Sequence, residues 1–305
     1  MLAIVCPGQG SQTPGFLQPW LEDPESAELL TTLSAAVGLD LTELGTTADE
    51  ETIKDTAVAQ PLIVAAGILT ARALFGRTVP ENSVVAGHSV GEITAAALTM
   101  ALSPADALSF VSTRAKGMAA AAAEIPTGMS AVLGGDPDTV RAAIIDAGLT
   151  PANENGGGQI VAAGTLDALA AFAENPPAKT RVIPLKVAGA FHTEYMASAV
   201  PALQELASTL QPGAPQTALL TNHDGTRIGS GEDFLASLVA QVTRPVRWDL
   251  CEATMLEAGA TGLLELAPAG TLTGLAKRGM KGVKTLALKT PDQLEDARAF
   301  VAEHA

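Results

Sequence analysis

Short runs of apolar residues alternate with longer amphipathic stretches along most of the chain. Residues 2–6 form an apolar run that ends at Pro7-Gly8, and residues 84–86 form a second run that leads into Gly87. Such runs, each followed by helical periodicity, are typical of buried parallel strands joined by crossover helices. The pattern predicts strands at 2–6, 84–86, 217–221, 262–266 and 284–288, and helices at 25–37, 58–74, 93–102, 193–210, 232–240, 271–278 and 291–303.

The middle of the chain follows a different pattern, in which the elements are shorter and glycine and proline are frequent. This alternation predicts an inserted ferredoxin-like α+β subdomain at 125–195. Residues 1–124 and 196–305 then form a large α/β, hydrolase-like core with a parallel sheet. The elements predicted in the insertion are strands at 129–133, 159–163 and 181–187 and helices at 137–147 and 166–174.

Composition and charge narrow the class of protein. The 305 residues are 47% hydrophobic and 17% charged, so the chain can bury a sizeable core. The net charge of −15 argues against nucleic acid as a partner, because a nucleic-acid binder needs a basic surface. The densest basic cluster, which we name the basic cluster, consists of Lys277, Arg278, Lys281 and Lys284.

The cysteines and the N-terminus indicate the cellular compartment in which the protein is expected. Cys6 and Cys251 lie far apart in apolar surroundings, which favours buried free thiols in a reducing environment. No spacing of Cys and His is typical of a metal site, so we expect no bound metal. The N-terminus lacks a signal peptide, and no run approaches the roughly 18 apolar residues of a membrane span. We therefore expect a cytoplasmic, soluble protein with no membrane contact, and a monomer.

The segment Gly87-His88-Ser89-Val90-Gly91 has the pattern Gly-x-Ser-x-Gly. It follows an apolar strand and precedes a helix, as a nucleophile elbow requires. The glycines permit the tight turn, and the helix directs its first N–H groups toward the reaction centre. The pattern predicts that Ser89 is a nucleophile, and a plain glycine-rich turn capped by a serine is the alternative.

A serine hydroxyl needs a base to remove its proton. His192 lies between an apolar strand and a helix, where a rigid scaffold presents a side chain on a loop. His223 lies in a turn-like segment and stays as the alternative base. His88 adjoins Ser89 and is expected to pack beneath the turn, and His304 lies at the C-terminal end of the sequence.

The segment 8–12, Gly-Gln-Gly-Ser-Gln, follows the first strand. A glycine-rich turn in this place can direct backbone N–H groups at an oxyanion, although an ordinary loop fits the segment equally well. It matches neither the P-loop nor the dinucleotide-binding fingerprint, so we exclude nucleotide binding by either route.

An ordered set of segments resembles the malonyl-CoA:acyl carrier protein transacylase family of fatty-acid and polyketide synthesis. The resemblance extends from near residue 8 to near residue 275 and implies a hydrolase-like α/β core with a ferredoxin-like insertion and a site between them. The matching segments are 8–12, Gln60-Pro61, 87–92, Arg114 within 112–115, 153–159, 189–192 and 241–248.

The resemblance implies a role for each matched position. Ser89 would attack a thioester, and His192 would act as the general base and then return the proton to the leaving thiol. The backbone N–H groups of Gln9 and Val90 would form the oxyanion hole. Because the family lacks a triad carboxylate, the backbone carbonyl of Gln241 would fix the tautomer of His192.

The resemblance also implies the substrates, which are malonyl-CoA and the phosphopantetheine thiol of acyl carrier protein, with no permanently bound cofactor. Arg114 would hold the malonyl carboxylate, since its planar fork grips a carboxylate with two hydrogen bonds. An acetyl group would leave that charge unpaired. Gln60 and Asn153 would line the site, and Phe191 would crowd an α-methyl branch.

Two other functions stay open. A thioesterase or esterase of the α/β-hydrolase type needs an acid between Ser89 and His192, where Asp167 is the only guess, and a glycine-rich oxyanion loop that the sequence lacks. A non-catalytic subunit that binds carrier protein is the second alternative. The basic cluster is our candidate for a transient docking site for an acidic carrier protein.

Overall fold

Eleven strands form two separate sheets, and the computed structural model describes residues 1–305. The strands in chain order are β1 Leu2–Cys6, β2 Ser83–Gly87, β3 Thr127–Gly134, β4 Thr150–Glu154, β5 Gln159–Thr165, β6 Thr180–Pro184, β7 Ala218–Leu220, β8 Arg227–Ile228, β9 Val246–Arg247, β10 Gly262–Glu265 and β11 Lys284–Ala287.

Thirteen α-helices connect these strands. The stretch 193–210 is predicted as one helix, but the structure has a 3₁₀ helix at Glu194–Ala199 followed by a shorter α-helix. Pro201 is the second residue of that α-helix, a position where proline is tolerated. The helices are α1 Pro24–Val37, α2 Leu41–Thr46, α3 Glu50–Lys54, α4 Thr56–Phe75, α5 Gly91–Leu98, α6 Pro104–Glu124, α7 Pro137–Asp146, α8 Leu166–Glu174, α9 Val200–Ala207, α10 Gly231–Gln241, α11 Trp248–Glu257, α12 Thr271–Gly279 and α13 Leu294–His304.

The larger sheet has the order β11-β10-β1-β2-β7-β8, and only β8 runs antiparallel to its neighbour. Every residue of β1 and β2 is buried, as expected for parallel strands with helices on both faces. Cys6 and Gly87 pair at the carboxyl ends of these strands, where open α/β sheets bind their ligands. The predicted α/β core with a parallel sheet is confirmed.

The smaller sheet has the order β6-β3-β5-β4-β9. Its chain order β3-α7-β4-β5-α8-β6 is the ferredoxin-like arrangement, which confirms the predicted α+β insertion. The sequence pattern missed β4, because Pro151 and the polar residues Asn153 and Glu154 hide a strand that also carries a bulge.

The fifth strand of the smaller sheet comes from outside the insertion. β9 pairs in parallel with β4, so that Val246 lies opposite Asn153. The predicted boundaries at 125 and 195 stay predictions. The small sheet itself takes its first four strands from residues 127–184 and its fifth from residues 246–247.

Helix α4 corrects one expectation from the sequence. By length and composition its 20 residues could cross a membrane, so the statement that no run approaches a membrane span was wrong. The helix is apolar on all sides because it packs against α1, α5 and α6 within the main core and is mostly buried there. Cys6 and Cys251 are free and buried, as predicted.

Candidate active site

Ser89 lies in a tight turn between the end of β2 and the start of α5. Its φ angle is +52°, in the left-handed region. A Cβ atom on Gly87 would lie 2.0 Å from the carbonyl carbon of Gly91, and one on Gly91 would lie 2.1 Å from the oxygen of Cys6. Both glycines are therefore required, and the strand–turn–helix geometry presents the serine side chain at the carboxyl edge of the sheet.

His192 contacts Ser89 directly. Its Nε2 lies 2.6 Å from Ser89 Oγ, and its Nδ1 lies 3.0 Å from the backbone oxygen of Gln241. A carbonyl only accepts hydrogen bonds, so Nδ1 carries the proton and the Nε2 lone pair faces the hydroxyl. Burial, and next the positive charge of Arg114, lower the pKa of His192 to about 3. The imidazole is thus neutral and able to accept the serine proton.

The other histidines lie in different surroundings. His223, the alternative base, is exposed in the turn after β7 and makes no side-chain hydrogen bond. His88 packs beneath the turn as expected: its Nε2 lies 2.8 Å from Asn155 Oδ1, and its ring lies 5.7 Å from that of Trp248. His304 is buried beside Thr261 at the end of α13.

Arg114 extends from the middle of α6 to the same place and is 1% exposed. Its Nη1 donates to Gln60 Oε1 at 2.6 Å, and its Nη2 donates to Gln241 Oε1 at 2.6 Å. Nη2 also lies 3.4 Å from Ser89 Oγ. Burial lowers the pKa of Arg114 to about 10, so the guanidinium stays charged at neutral pH.

No carboxylate pairs with this guanidinium. Arg114 takes part in none of the ion pairs of the chain, and its Nε has no hydrogen-bond partner. Its partners Gln60 and Gln241 are neutral amides. A buried cation whose acceptors are all neutral is suited to bind an anionic ligand.

The backbone amides of Gln9 and Val90, like that of Ser89 itself, have no acceptor within the chain. Val90 directly precedes α5, and Gln9 follows β1. The side chain of Gln9 donates to Thr56 Oγ1 at 3.3 Å and accepts from Gln60 Nε2 at 3.4 Å. These contacts join the Gln9 loop to the residues that hold Arg114.

The remaining predicted site residues differ in position. Phe191 precedes His192 and is buried in the main hydrophobic core. Asn153 lies on β4, and no hydrogen bond joins it to Ser89, His192 or Arg114; its Oδ1 is buried without a partner. The chain just after β4 is nevertheless linked to the turn that carries Ser89, because Asn155 contacts His88.

Sequence reasoning assigned no role to Glu92 or Asn222, which complete the buried network. Glu92 is fully buried in the first turn of α5, and burial raises its pKa to about 7. It accepts from the backbone N–H of Asn222 and from Gln241 Nε2, both at 2.5 Å. The sequence does show a glutamate at the start of α5, but acidic residues are common in the first turn of a helix and do not by themselves indicate a role in a site.

Neither an acid for a triad nor a metal-binding cluster is found in the site. Asp167 is exposed at the start of α8, and the partner of His192 Nδ1 is a carbonyl. No group of three or more His, Cys, Asp and Glu side chains is arranged to hold a metal ion. The hydrolase interpretation, which needs the acid, therefore loses its required residue.

The comparisons with known proteins agree with this geometry. The family described as "Acyl transferase domain" matches residues 3–300. The malonyl CoA-acyl carrier protein transacylase of Mycobacterium tuberculosis (strain ATCC 25618 / H37Rv) is 50% identical over 298 residues, which cover 97% of this chain and 99% of the relative.

Solved structures of similar proteins share the whole fold. The crystal structure of MCAT from Mycobacterium tuberculosis has a TM-score of 0.92 and 49% identity, covering 98% of this chain and 99% of that one. The malonyl-transacylase solved in complex with its type II PKS acyl-carrier protein has a TM-score of 0.90 and 30% identity, covering 98% and 99%. The chain belongs to the malonyl-CoA:acyl carrier protein transacylase family.

Proposed function

We propose that the protein moves a malonyl group from malonyl-CoA to the phosphopantetheine thiol of an acyl carrier protein through a malonyl-Ser89 intermediate. The observation that carries this proposal is the buried guanidinium of Arg114, free of any carboxylate, 3.4 Å from a serine hydroxyl that lies 2.6 Å from a neutral imidazole. The serine and the imidazole carry out the acyl transfer, and the guanidinium gives the preference for an acyl group that bears a carboxylate.

In the first half-reaction Ser89 Oγ attacks the thioester carbonyl, and its proton passes to His192 Nε2. The carbonyl oxygen becomes an oxyanion, which the free N–H groups of Gln9 and Val90 are suited to bind. The tetrahedral intermediate then collapses, the carbon–sulfur bond breaks, and His192 returns the proton to the coenzyme A thiolate. The carbonyl of Gln241 stabilises the transient imidazolium through Nδ1–H.

In the second half-reaction the phosphopantetheine thiol is the nucleophile. His192 removes its proton, the sulfur attacks the malonyl ester, and the proton returns to Ser89 Oγ as the ester bond breaks. The two halves are mirror images, so one base serves both. The solved complex of a related malonyl-transacylase with its acyl-carrier protein supports this choice of second substrate.

Arg114 accounts for the preference for malonyl over acetyl groups in this proposal. Its Nη atoms, held by Gln60 and Gln241, place a planar fork beside the ester carbon. Phe191 crowds an α-methyl branch, and one methyl group changes the selectivity by only about 10–200-fold. Asn153, on β4, stays a predicted lining residue of the site.

All the residues of this proposal come from one chain, so a monomer suffices and no permanently bound cofactor is required. We place the docking of carrier protein at the basic cluster. Lys284 pairs with Glu303, which leaves Lys277, Arg278 and Lys281 exposed without an ion pair.

Docking is tested with the variant Lys277→Glu/Lys281→Glu. We expect a higher apparent KM for carrier protein and an unchanged rate of Ser89 loading from malonyl-CoA, because only the protein partner meets this surface. Lys179→Glu, which changes an exposed lysine on the insertion, is the control. An equal KM for the double variant and wild type rules out the basic cluster as the docking site.

The reaction itself is tested by intact mass after incubation with malonyl-CoA, acetyl-CoA and methylmalonyl-CoA in parallel. We expect a malonyl adduct on Ser89, less methylmalonyl adduct and least acetyl adduct, and transfer of malonate when carrier protein is added. Fast loss of the adduct to water without carrier protein would favour a thioesterase. Carrier-protein binding without any adduct would favour the non-catalytic subunit.

A further inference from the structure

Glu92 is a fully buried carboxylate that the proposed reaction does not use. It lies in the helical turn after Ser89, and its oxygens accept from the N–H of Asn222 and from Gln241 Nε2, both at 2.5 Å. A carboxylate loses much of its hydration when it is buried, so it persists only where several groups compensate. Its contacts lead into the site through Gln241.

Gln241 contacts the serine, the histidine and the arginine of the site. Its backbone oxygen accepts from His192 Nδ1 at 3.0 Å, and its side-chain Oε1 accepts from Arg114 Nη2 at 2.6 Å. Its Nε2 donates to the backbone oxygen of Ser89 at 3.0 Å and to Glu92. The residue ends α10, so its carbonyl has no partner within that helix and accepts instead from the N–H of Arg244 at 3.2 Å and from His192.

Glu92 and the backbone oxygen of Ser89 together set the orientation of the Gln241 amide, because Gln241 Nε2 donates to both. Both Glu92 oxygens face N–H donors, the backbone of Asn222 and the NH₂ end of Gln241, as an ionised carboxylate, which only accepts hydrogen bonds, requires. The oxygen end then faces Arg114, which only donates. In the reverse orientation, an NH₂ group would face a guanidinium and an oxygen would face a carboxylate. Only one orientation therefore satisfies both charged neighbours.

The amide also separates two opposite charges. If Glu92 contacted Arg114 directly, their ion pair would occupy the fork that the proposed malonyl carboxylate needs. With Gln241 between them, Glu92 favours the charged form of the guanidinium from a distance while leaving Arg114 Nε without a partner. Arg114 is thus stabilised as a cation and remains available to a ligand.

We propose that Glu92 is a positioning residue for carboxylated acyl groups, which fixes the Gln241 amide and through it the guanidinium of Arg114. The inference rests on the proposed function. Glu92 contacts neither the substrate nor the reacting atoms, so its effect must appear in how well Arg114 selects an acid and less in the chemistry at Ser89.

The test compares Glu92→Gln with wild type in the loading of Ser89 from malonyl-CoA and from acetyl-CoA. With its oxygen on the N–H of Asn222, the new amide presents its NH₂ group to Gln241, so the Gln241 amide loses one acceptor and holds Arg114 less firmly. We expect KM for malonyl-CoA to rise about tenfold, more than kcat falls, and the ratio of malonyl to acetyl kcat/KM to fall about tenfold.

Glu252→Gln is the matched control, because burial also raises the pKa of Glu252 to about 7 but this residue makes no hydrogen bond to Gln241 or Arg114. We expect its ratio to equal that of wild type. An equal loss with both acyl-CoA substrates in Glu92→Gln, or no loss with either, overturns the proposal. If Glu92→Gln does not fold, Glu92→Asp withdraws the carboxylate by one methylene, and the same two outcomes decide.

The double variant Glu92→Gln/Gln241→Glu tests whether residue 241, which contacts Arg114, must be neutral. Residue 92 and Arg114 each regain an acceptor at position 241, the hydrogen bond to the backbone oxygen of Ser89 is lost, and a carboxylate now pairs with Arg114. We expect thermal stability to recover relative to Glu92→Gln while malonyl selectivity stays low; recovery of both overturns the proposal. Failure of the proposed function is seen separately, since wild type would then show no preference for malonyl-CoA before any variant is compared.

Discussion

Two strand-to-helix turns of the larger sheet differ in what binds the first amides of the following helix. After β2, the N–H of Val90 has no acceptor within the chain. After β10, the carboxylate of Glu265 accepts from the N–H groups of Gly270, Leu272 and Thr273 at 2.8–2.9 Å. The first amides of α12 are thus bound by a carboxylate of the chain. At α5 the amides of Gly91, Glu92 and Ile93 bond to carbonyls of the preceding turn, and only the N–H of Val90 is left for a ligand.

The two turns also use a buried glutamate differently. Glu265 and Glu92 are both fully buried. Glu265 binds the helix that follows its own strand, so it stabilises the fold locally. Glu92 binds residues 130 and 149 positions away in sequence, so it joins separate elements around Ser89. A buried carboxylate beside a strand-to-helix turn therefore indicates a function only through the partners that it binds.

The largest effect is expected from a substitution in the turn after β2, which carries Ser89. Ser89→Ala removes the proposed nucleophile, and acyl loading should fall by about 10⁴-fold or more. Intact mass should detect no adduct after incubation with malonyl-CoA. Ser130→Ala, at a buried serine on β3, should load like wild type. An adduct on the Ser89 variant would place the nucleophile elsewhere.

The second effect concerns the cation beside that turn. Arg114→Ala should lower the ratio of malonyl to acetyl loading by about 10²-fold, as expected when a buried charge pair loses one partner. Parallel kcat/KM measurements with the two substrates give this ratio. Arg141→Ala, which breaks the pairing with Glu154 on the insertion, is the control and should keep the ratio. An unchanged ratio in the Arg114 variant would exclude it as the carboxylate ligand.

The third effect concerns the turn after β10, where Glu265 binds the first amides of α12. Glu265→Gln replaces an acceptor by a donor opposite helix amides, so the free energy of unfolding should fall by about 2–3 kcal/mol. Denaturant titration measures the loss. The malonyl-to-acetyl ratio should not change, in contrast with Glu92→Gln. If Glu265→Gln altered the ratio and kept its stability, the two turns would not differ as described.

The smallest effect is a shift in pH dependence. His192 acts only when neutral, so loading is lost as the pH falls through its pKa, which burial and Arg114 hold at about 3. Arg114→Ala removes the second cause and raises this pKa. The acid limb of acetyl loading should therefore move to higher pH than in wild type. A limb at the same pH would mean that Arg114 does not act on the imidazole.

Much of the large sheet could be predicted from the sequence, because strands buried on both faces are continuous apolar runs, as in β1 and β2. The same rule failed for β4, whose Asn153 and Glu154 are polar, and for β9, which has only two residues. A strand this short leaves no periodicity to detect.

In the site, the local pattern indicated Ser89 and placed His192 above His223, and the resemblance supplied Arg114 and Gln241. The link from Glu92 through Gln241 to Arg114 could not be predicted, because each contact joins residues far apart in sequence. Nothing in the first turn of α5 indicates that its glutamate faces an amide at the end of α10.

The pairing of β9 with β4 has a consequence for how the molecule opens. Arg247 donates its backbone N–H to Asn222 and lies in one ion-pair cluster with Glu154 and Asp249. The insertion is therefore bound to the core by a β-ladder as well as by its two chain connections. A hinge motion that moves the insertion away from the core would have to break that ladder and the Glu154–Arg247 ion pair, so both connections oppose it.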